Sequence, residues 1–180
     1  AFALGLPTPS TLLRLLITAA FLPPAEKKLP VRLRLIRNIS LFATPAVLGF
    51  YLFAYSALFM ASHKGLSKEV KSGLTAPYNC WKNRRATLYF VQDIPVSKND
   101  PSYSIVKHAD ENLHKLAGIP MLICWGKHDF VFDESYLAEW QRRFPDAEVN
   151  LLTDAGHYVL EDEPEKVCML IKDFLNRHPG

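Results

Sequence analysis

Two residues stand where a charge relay could be assembled. Asp129 closes the stretch "WGKHD" and His157 closes "DAGH", and each follows directly on a short apolar run. A carboxylate that accepts an imidazole N–H fixes the histidine tautomer and stabilises the imidazolium that forms when the ring takes a proton. Each residue also has a plainer reading. Asp129 could cap the helix that follows it, and His157 could be a loop histidine bonded to backbone. Asp133 is a competing acid, but its place at a helix start makes capping its better role. His128 is expected to point away from the direction of Asp129. Asp154 and Glu161, Asp162 and Glu163 read as turn and helix-entry residues. A nucleophile elbow is missing: the 180 residues hold neither G-x-S-x-G nor an aspartate or cysteine equivalent between a strand and a helix.

The elements around the pair explain how it could be positioned. "IPMLICW" (119–125) and "AEVNLLT" (147–153) are short apolar runs bounded by turn signals, as expected of parallel strands buried on both faces. "LLRLLIT" (12–18) has the same character. Between the last two strands, Tyr136, Leu137, Trp140 and Phe144 recur at helical spacing, with acids at the start and Arg142 and Arg143 near the end. The terminal segment opens on Pro164 and puts Val167, Leu170, Ile171, Phe174 and Leu175 on one face. The pattern is strand–helix–strand–helix, so the fold class is α/β with a parallel sheet. Such a sheet presents working residues at the carboxyl ends of its strands. An acid after one strand and a histidine after the next is the chain order of the α/β-hydrolase relay.

The middle of the chain differs. From Pro23 to His108 there is no convincing strand pair, only apolar or amphipathic helical stretches broken by prolines such as Pro77 and Pro95. An all-helical insert between strands of a parallel sheet reads as a cap. The division is therefore a core segment 1–22, a helical cap 23–108 and a carboxyl-terminal core 109–180. Leu41 to Ala61 carries no charge and reaches the length of about 20 residues that a bilayer span needs. Pro45 and Gly49 interrupt it, which favours a buried cap helix. Peripheral membrane contact is compatible with it, and a non-catalytic membrane-associated helical protein is the rival from another class.

Composition narrows the rest. A hydrophobic share of 49% excludes a disordered chain, and a net charge of +3, scattered among aliphatics, gives no nucleic-acid footprint. Cys80, Cys124 and Cys168 are widely spaced. They suggest neither disulfides nor a zinc site, and Cys124 and Cys168 read as small buried hydrophobes. No metal and no cofactor is expected, and the compartment is read as a reducing cytoplasm.

With these residues in view, "WGKHD" and "AGHYVLEDEPE" resemble the carboxyl-terminal part of the haloalkane dehalogenase and epoxide hydrolase branch of the α/β-hydrolases. "ITAAFLPPAEKKLPVRLRLIRN" and "PYNCWKNRRATLYFVQDIP" resemble the β-lactone decarboxylases of bacterial long-chain olefin biosynthesis. Ile17 departs from that pattern, which has Asn before Thr18–Phe21. The resemblance implies Asp129 as acid, His157 as base, and an aspartate nucleophile on an elbow before Gly5, outside the chain. It also implies a hydrophobic small-molecule substrate, a cis-β-lactone with two alkyl arms, and assembly with other enzymes of the olefin pathway. Phe50, Phe53, Phe59, Trp81 and Phe90 are the candidate pocket liners, although aromatics at helical spacing more often serve packing. A haloalkane dehalogenase or epoxide hydrolase, both using an aspartyl ester, is the alternative. The chain thus reads as the carboxyl-terminal part of an α/β-hydrolase, truncated at its amino end, without turnover alone and prone to aggregate.

Overall fold

The computed structural model describes residues 44–49 and 52–178. The strand expected over 12–18, the whole segment 1–22 and Phe50 lie outside the described residues. Helices come first. A π-helical turn, Thr44–Gly49, precedes α1 (Leu52–Met60). Within the uncharged stretch 41–61 these are the described helical residues, and no helix among the described residues is long and apolar enough to cross a membrane. Helix α2 (Lys68–Thr75) is capped by Ser67, whose hydroxyl accepts from the Val70 N–H at 3.2 Å. A 3₁₀ turn, Ala76–Tyr78, contains Pro77, and α3 (Trp81–Gln92) ends shortly before Pro95. The prolines break the insert where their missing N–H would interrupt a helical ladder. Helix α4 (Tyr103–Asn112) then runs through the point between 108 and 109 where the sequence division was drawn. No strand occurs among the described residues before Leu122.

The sheet follows. Strand β1 (Leu122–Gly126) pairs in parallel with β2 (Glu148–Leu152), in the register Leu122 opposite Glu148 through Gly126 opposite Leu152. Helix α5 (Glu134–Arg143) connects them, and α6 (Val159–Asp162) and α7 (Pro164–Arg177) follow β2. Every residue of β1 is buried. Its side chains alternate as the pleat demands. Ile123 and Trp125 join Leu137, Trp140 and Phe144 on one face, whereas Leu122 and Cys124 join Val167 and Phe174 on the other. Helices α5 and α7 thus cover opposite faces of β1. Each large aliphatic or aromatic so buried contributes roughly 2 kcal/mol. The periodic face read for α7 holds, with Val167 and Phe174 buried and Leu170, Ile171 and Leu175 packed beside them.

Two expectations are corrected. The second strand is not buried on both faces: Leu151 is 41% exposed and Glu148, Val149 and Asn150 are half-buried. Among the described residues β2 pairs with β1 alone, and an apolar run does not reveal how many strands flank it. Cys168 is exposed while Cys124 is buried. Helical spacing placed Cys168 one position past Val167, and that step of about 100° turns it off the core face.

Candidate active site

The loop after β1 begins as a tight turn that is pinned to the loop after β2. Lys127 N–H donates to the Leu152 carbonyl and His128 N–H to the Ala155 carbonyl, both at 2.9 Å. Glycine is needed for this closeness. A Cβ on Gly126 would fall 2.1 Å from the Gly156 oxygen, and one on Gly156 would fall 2.8 Å from the Ala61 oxygen. Three backbone segments therefore lie directly against one another: the end of β1, the histidine loop and the residues following α1.

Asp129 and His157 meet across this junction. His157 Nδ1 lies 2.9 Å from Asp129 Oδ2. The other carboxylate oxygen, Oδ1, accepts the N–H groups of Val131 at 2.8 Å and Phe132 at 2.9 Å. Asp129 thus caps its own loop and still turns one oxygen to the imidazole, so the capping and relay roles coexist. With Nδ1 engaged, Nε2 is the nitrogen left for a reacting group, and 27% of the His157 side chain is exposed. Phe132, Tyr158 and Phe130 flank the ring at centroid distances of 5.6, 5.9 and 6.5 Å. The arrangement can hold an imidazole in one tautomer beside a fixed carboxylate, as a general base requires.

The neighbouring candidates sort clearly. Asp133 is the cap of α5, its side chain accepting from Ser135 N–H at 3.1 Å. His128 takes no part in the pair, and its ring stacks on His63 with centroids 3.8 Å apart. Burial, with a smaller contribution from Glu148, pushes the Cys124 thiol up to about 11, which removes it as a nucleophile at neutral pH. Among the described residues no cluster of three His, Cys, Asp or Glu side chains is placed to hold a metal.

Of the candidate pocket liners, the side chains of Phe50 and Phe53 lie outside the described residues. Phe59, Trp81 and Phe90 are exposed. Trp81 lines a cavity of about 450 Å³ with Leu48, Leu88, Tyr89 and the cations Lys82 and Arg85. Phe59 and Phe90 are not among its walls, and neither are Asp129 and His157.

One residue was missed. Asp162, read from sequence as a helix-entry acid, is 3% exposed and receives hydrogen bonds from Ser62, His63, Lys64 and Gly156. Its flanking residues, Glu161 and Glu163, are more exposed. A four-residue helix offers too little periodicity to single out one acid of three.

The alpha/beta hydrolase fold profile matches residues 25–164. The chain belongs to the α/β-hydrolase fold family. Among curated relatives, a cis-3-alkyl-4-alkyloxetan-2-one decarboxylase of Shewanella oneidensis is 41% identical over 170 residues, covering 93% of this chain and 53% of the relative. The enzyme of the same name from Xanthomonas campestris is 37% identical over 162 residues, covering 90% and 54%. This α/β-hydrolase chain spans about half the length of the curated relatives it matches. A loop variant of the haloalkane dehalogenase DbeA from Bradyrhizobium elkanii superposes with a TM-score of 0.68 at 21% identity, covering 82% of this chain and 50% of the dehalogenase. At that identity the likeness speaks for the α/β-hydrolase fold alone.

Proposed function

We propose that the protein acts as a β-lactone decarboxylase, converting a cis-3,4-dialkyl oxetan-2-one to a cis-alkene and carbon dioxide. The carrying observation is the 41% identity to a decarboxylase of that substrate across nearly the whole chain, insert included. The reaction breaks the ring bonds from C3 to the carbonyl carbon and from C4 to the ring oxygen, and the C3=C4 double bond forms as carbon dioxide leaves. Release of ring strain drives it, so the protein's task is to position the ring and stabilise developing charge. Asp129 would hold the His157 tautomer and stabilise charge on the imidazole. The nucleophile is assigned to an aspartate on a strand-to-helix elbow, a motif that the 180 residues do not contain. The helical segment 23–108 would act as the cap, with Phe59, Trp81 and Phe90 facing hydrocarbon. The three free cysteines suit a reducing cytoplasm, and assembly with other enzymes of olefin synthesis belongs to the same proposal.

The test is to give the full-length protein both a dialkyl β-lactone and a 1-haloalkane. Alkene formation from the lactone, lost in His157→Ala, is the expected result. Halide release without alkene would replace the reading with a dehalogenase. A protein that turns over neither substrate and withstands carbonate extraction from membranes would favour the non-catalytic rival.

A further inference from the structure

The mechanism above makes no use of Asp162, yet this carboxylate is more completely engaged than Asp129. Its Oδ1 accepts from Ser62 Oγ at 2.6 Å and Lys64 N–H at 3.0 Å. Its Oδ2 accepts from Gly156 N–H at 2.7 Å and His63 N–H at 2.9 Å. Two donors on each oxygen fill the four acceptor sites of an ionised carboxylate. Burial raises its pKa, but these hydrogen bonds outweigh burial and hold it below the ordinary aspartate value.

The donors matter because of where they sit. Gly156 directly precedes His157. On the other side, the Tyr158 N–H donates to the Ala61 carbonyl at 2.8 Å. The N–H before the histidine is thus held by Asp162, and the N–H after it is held by the segment that Asp162 grips. The same segment reaches the acid's loop, through His63 stacked on His128 at an interplanar angle of 6°. Residues 61–64 touch both loops that carry the pair.

We propose that Asp162 is a positioning residue for His157: it locks residues 61–64, the histidine loop and hence the Asp129–His157 hydrogen bond into one register. This rests on the reading of His157 as the base, but its structural content does not depend on the substrate. A carboxylate is required, because Asn would put an amide NH₂ against two backbone or hydroxyl donors. Simple support of the fold would not explain why one donor is the N–H of Gly156, next to His157, while the other three belong to the segment whose Ala61 carbonyl holds the Tyr158 N–H.

The experiment uses the full-length protein and follows the His157 Nδ1–H proton and the His157 titration midpoint by NMR, beside kcat and KM on the β-lactone. Three variants are compared: Asp162→Asn, the milder Ser62→Ala, and Val91→Ala as a control in a separate buried cluster, with Val47, Leu48 and Leu88. Asp162→Asn should move or broaden the Nδ1–H resonance and lower kcat about 10- to 100-fold with KM nearly unchanged, the signature of a misplaced group. Ser62→Ala should shift the resonance less in the same direction, and Val91→Ala should leave it in place although it weakens its own cluster. If Asp162→Asn does not fold, Ser62→Ala decides alone: a moved resonance supports the proposal and an unmoved one overturns it. A folded Asp162→Asn with an unchanged resonance and midpoint also overturns it. Resonances that behave as expected in a protein inert to β-lactone would retain the positioning role and remove the decarboxylase reading.

Discussion

In the carboxyl-terminal unit, β1 lies between α5 and α7, and its alternating side chains feed two separate buried clusters. In the helical region before it, Val47, Leu48, Leu88 and Val91 make a small core with Ile94 beside it. The insert also turns Tyr55, Phe59, Trp81, Tyr89 and Phe90 outward, each more than half exposed. The first region builds a fixed geometry around one hydrogen bond. The second offers exposed apolar surface beside the cavity that Trp81 lines with Leu48 and Leu88. On the proposed reading, chemistry falls on the region built around the sheet, and hydrocarbon would meet the exposed aromatics of the helical region. A reacting group tolerates little displacement, whereas alkyl chains need only apolar contact.

The largest test of this contrast lies in the pair itself. Asp129→Asn leaves the Val131 and Phe132 N–H groups needing an acceptor, so the amide oxygen must stay on them. The NH₂ then faces His157 Nδ1 and selects the tautomer protonated on Nε2, which cannot act as base. The kcat of the full-length protein on the β-lactone should fall about 10⁴-fold with the melting temperature nearly kept. A loss under tenfold would show that the hydrogen bond is structural.

The next test exchanges matched side chains. Val167 and Val91 are both fully buried, one beneath β1 and one in the insert core. Val167→Ala should lower global stability by about 2 kcal/mol and speed amide exchange throughout β1. Val91→Ala should cost a similar amount locally and speed exchange across α3, leaving the β1 amides protected. Equal loss of protection in both regions would mean that insert and sheet unfold as one unit.

The same contrast explains what could be read from sequence. The strand–helix–strand–helix order, the α5 core positions, and Asp129 and His157 were legible because each depends on local periodicity or on a strand's carboxyl end. Asp162 was not, because its partners Ser62, His63 and Lys64 lie about a hundred residues earlier in the chain. Neither hydropathy nor spacing links "SHK" to "LEDEP". The exposure of Leu151 and Cys168 escaped for a related reason: an apolar residue beside a strand or helix core does not reveal which face has a covering layer. The pocket liners were the least legible, because aromatic residues at helical spacing look alike whether they pack or face outward.

A smaller effect separates the clamp from the rest of the sheet. The Asp162 carboxyl is held below its ordinary pKa. Its contribution is therefore complete above the unfolded-state value and is lost as pH falls through the lower folded value. Melting temperature should drop on acidification below about pH 4. Asp162→Asn should start lower at neutral pH and show a shallower drop. Parallel curves for the two proteins would assign the acid sensitivity to other carboxylates, Glu139 first, since its hydrogen bond from Arg142 heads the interactions that bring its pKa to about 2.

The smallest effect on stability should come from the most exposed aromatic among the described residues of the helical region. Phe90 is 69% exposed, so Phe90→Ser removes little buried area and should change stability by no more than about 0.5 kcal/mol. Yet if apolar surface on the insert receives alkyl arms, the same change should raise KM for a long-chain dialkyl β-lactone and leave a short-chain one unaffected. The two readouts move oppositely under the two roles. A packing residue would lose stability without chain-length dependence, and a substrate-facing one would lose long-chain affinity without stability. Phe59→Ser, at 63% exposure with Lys71 over its ring, supplies a second position. Long-chain KM raised at Phe90 alone would assign substrate contact to α3 rather than to α1.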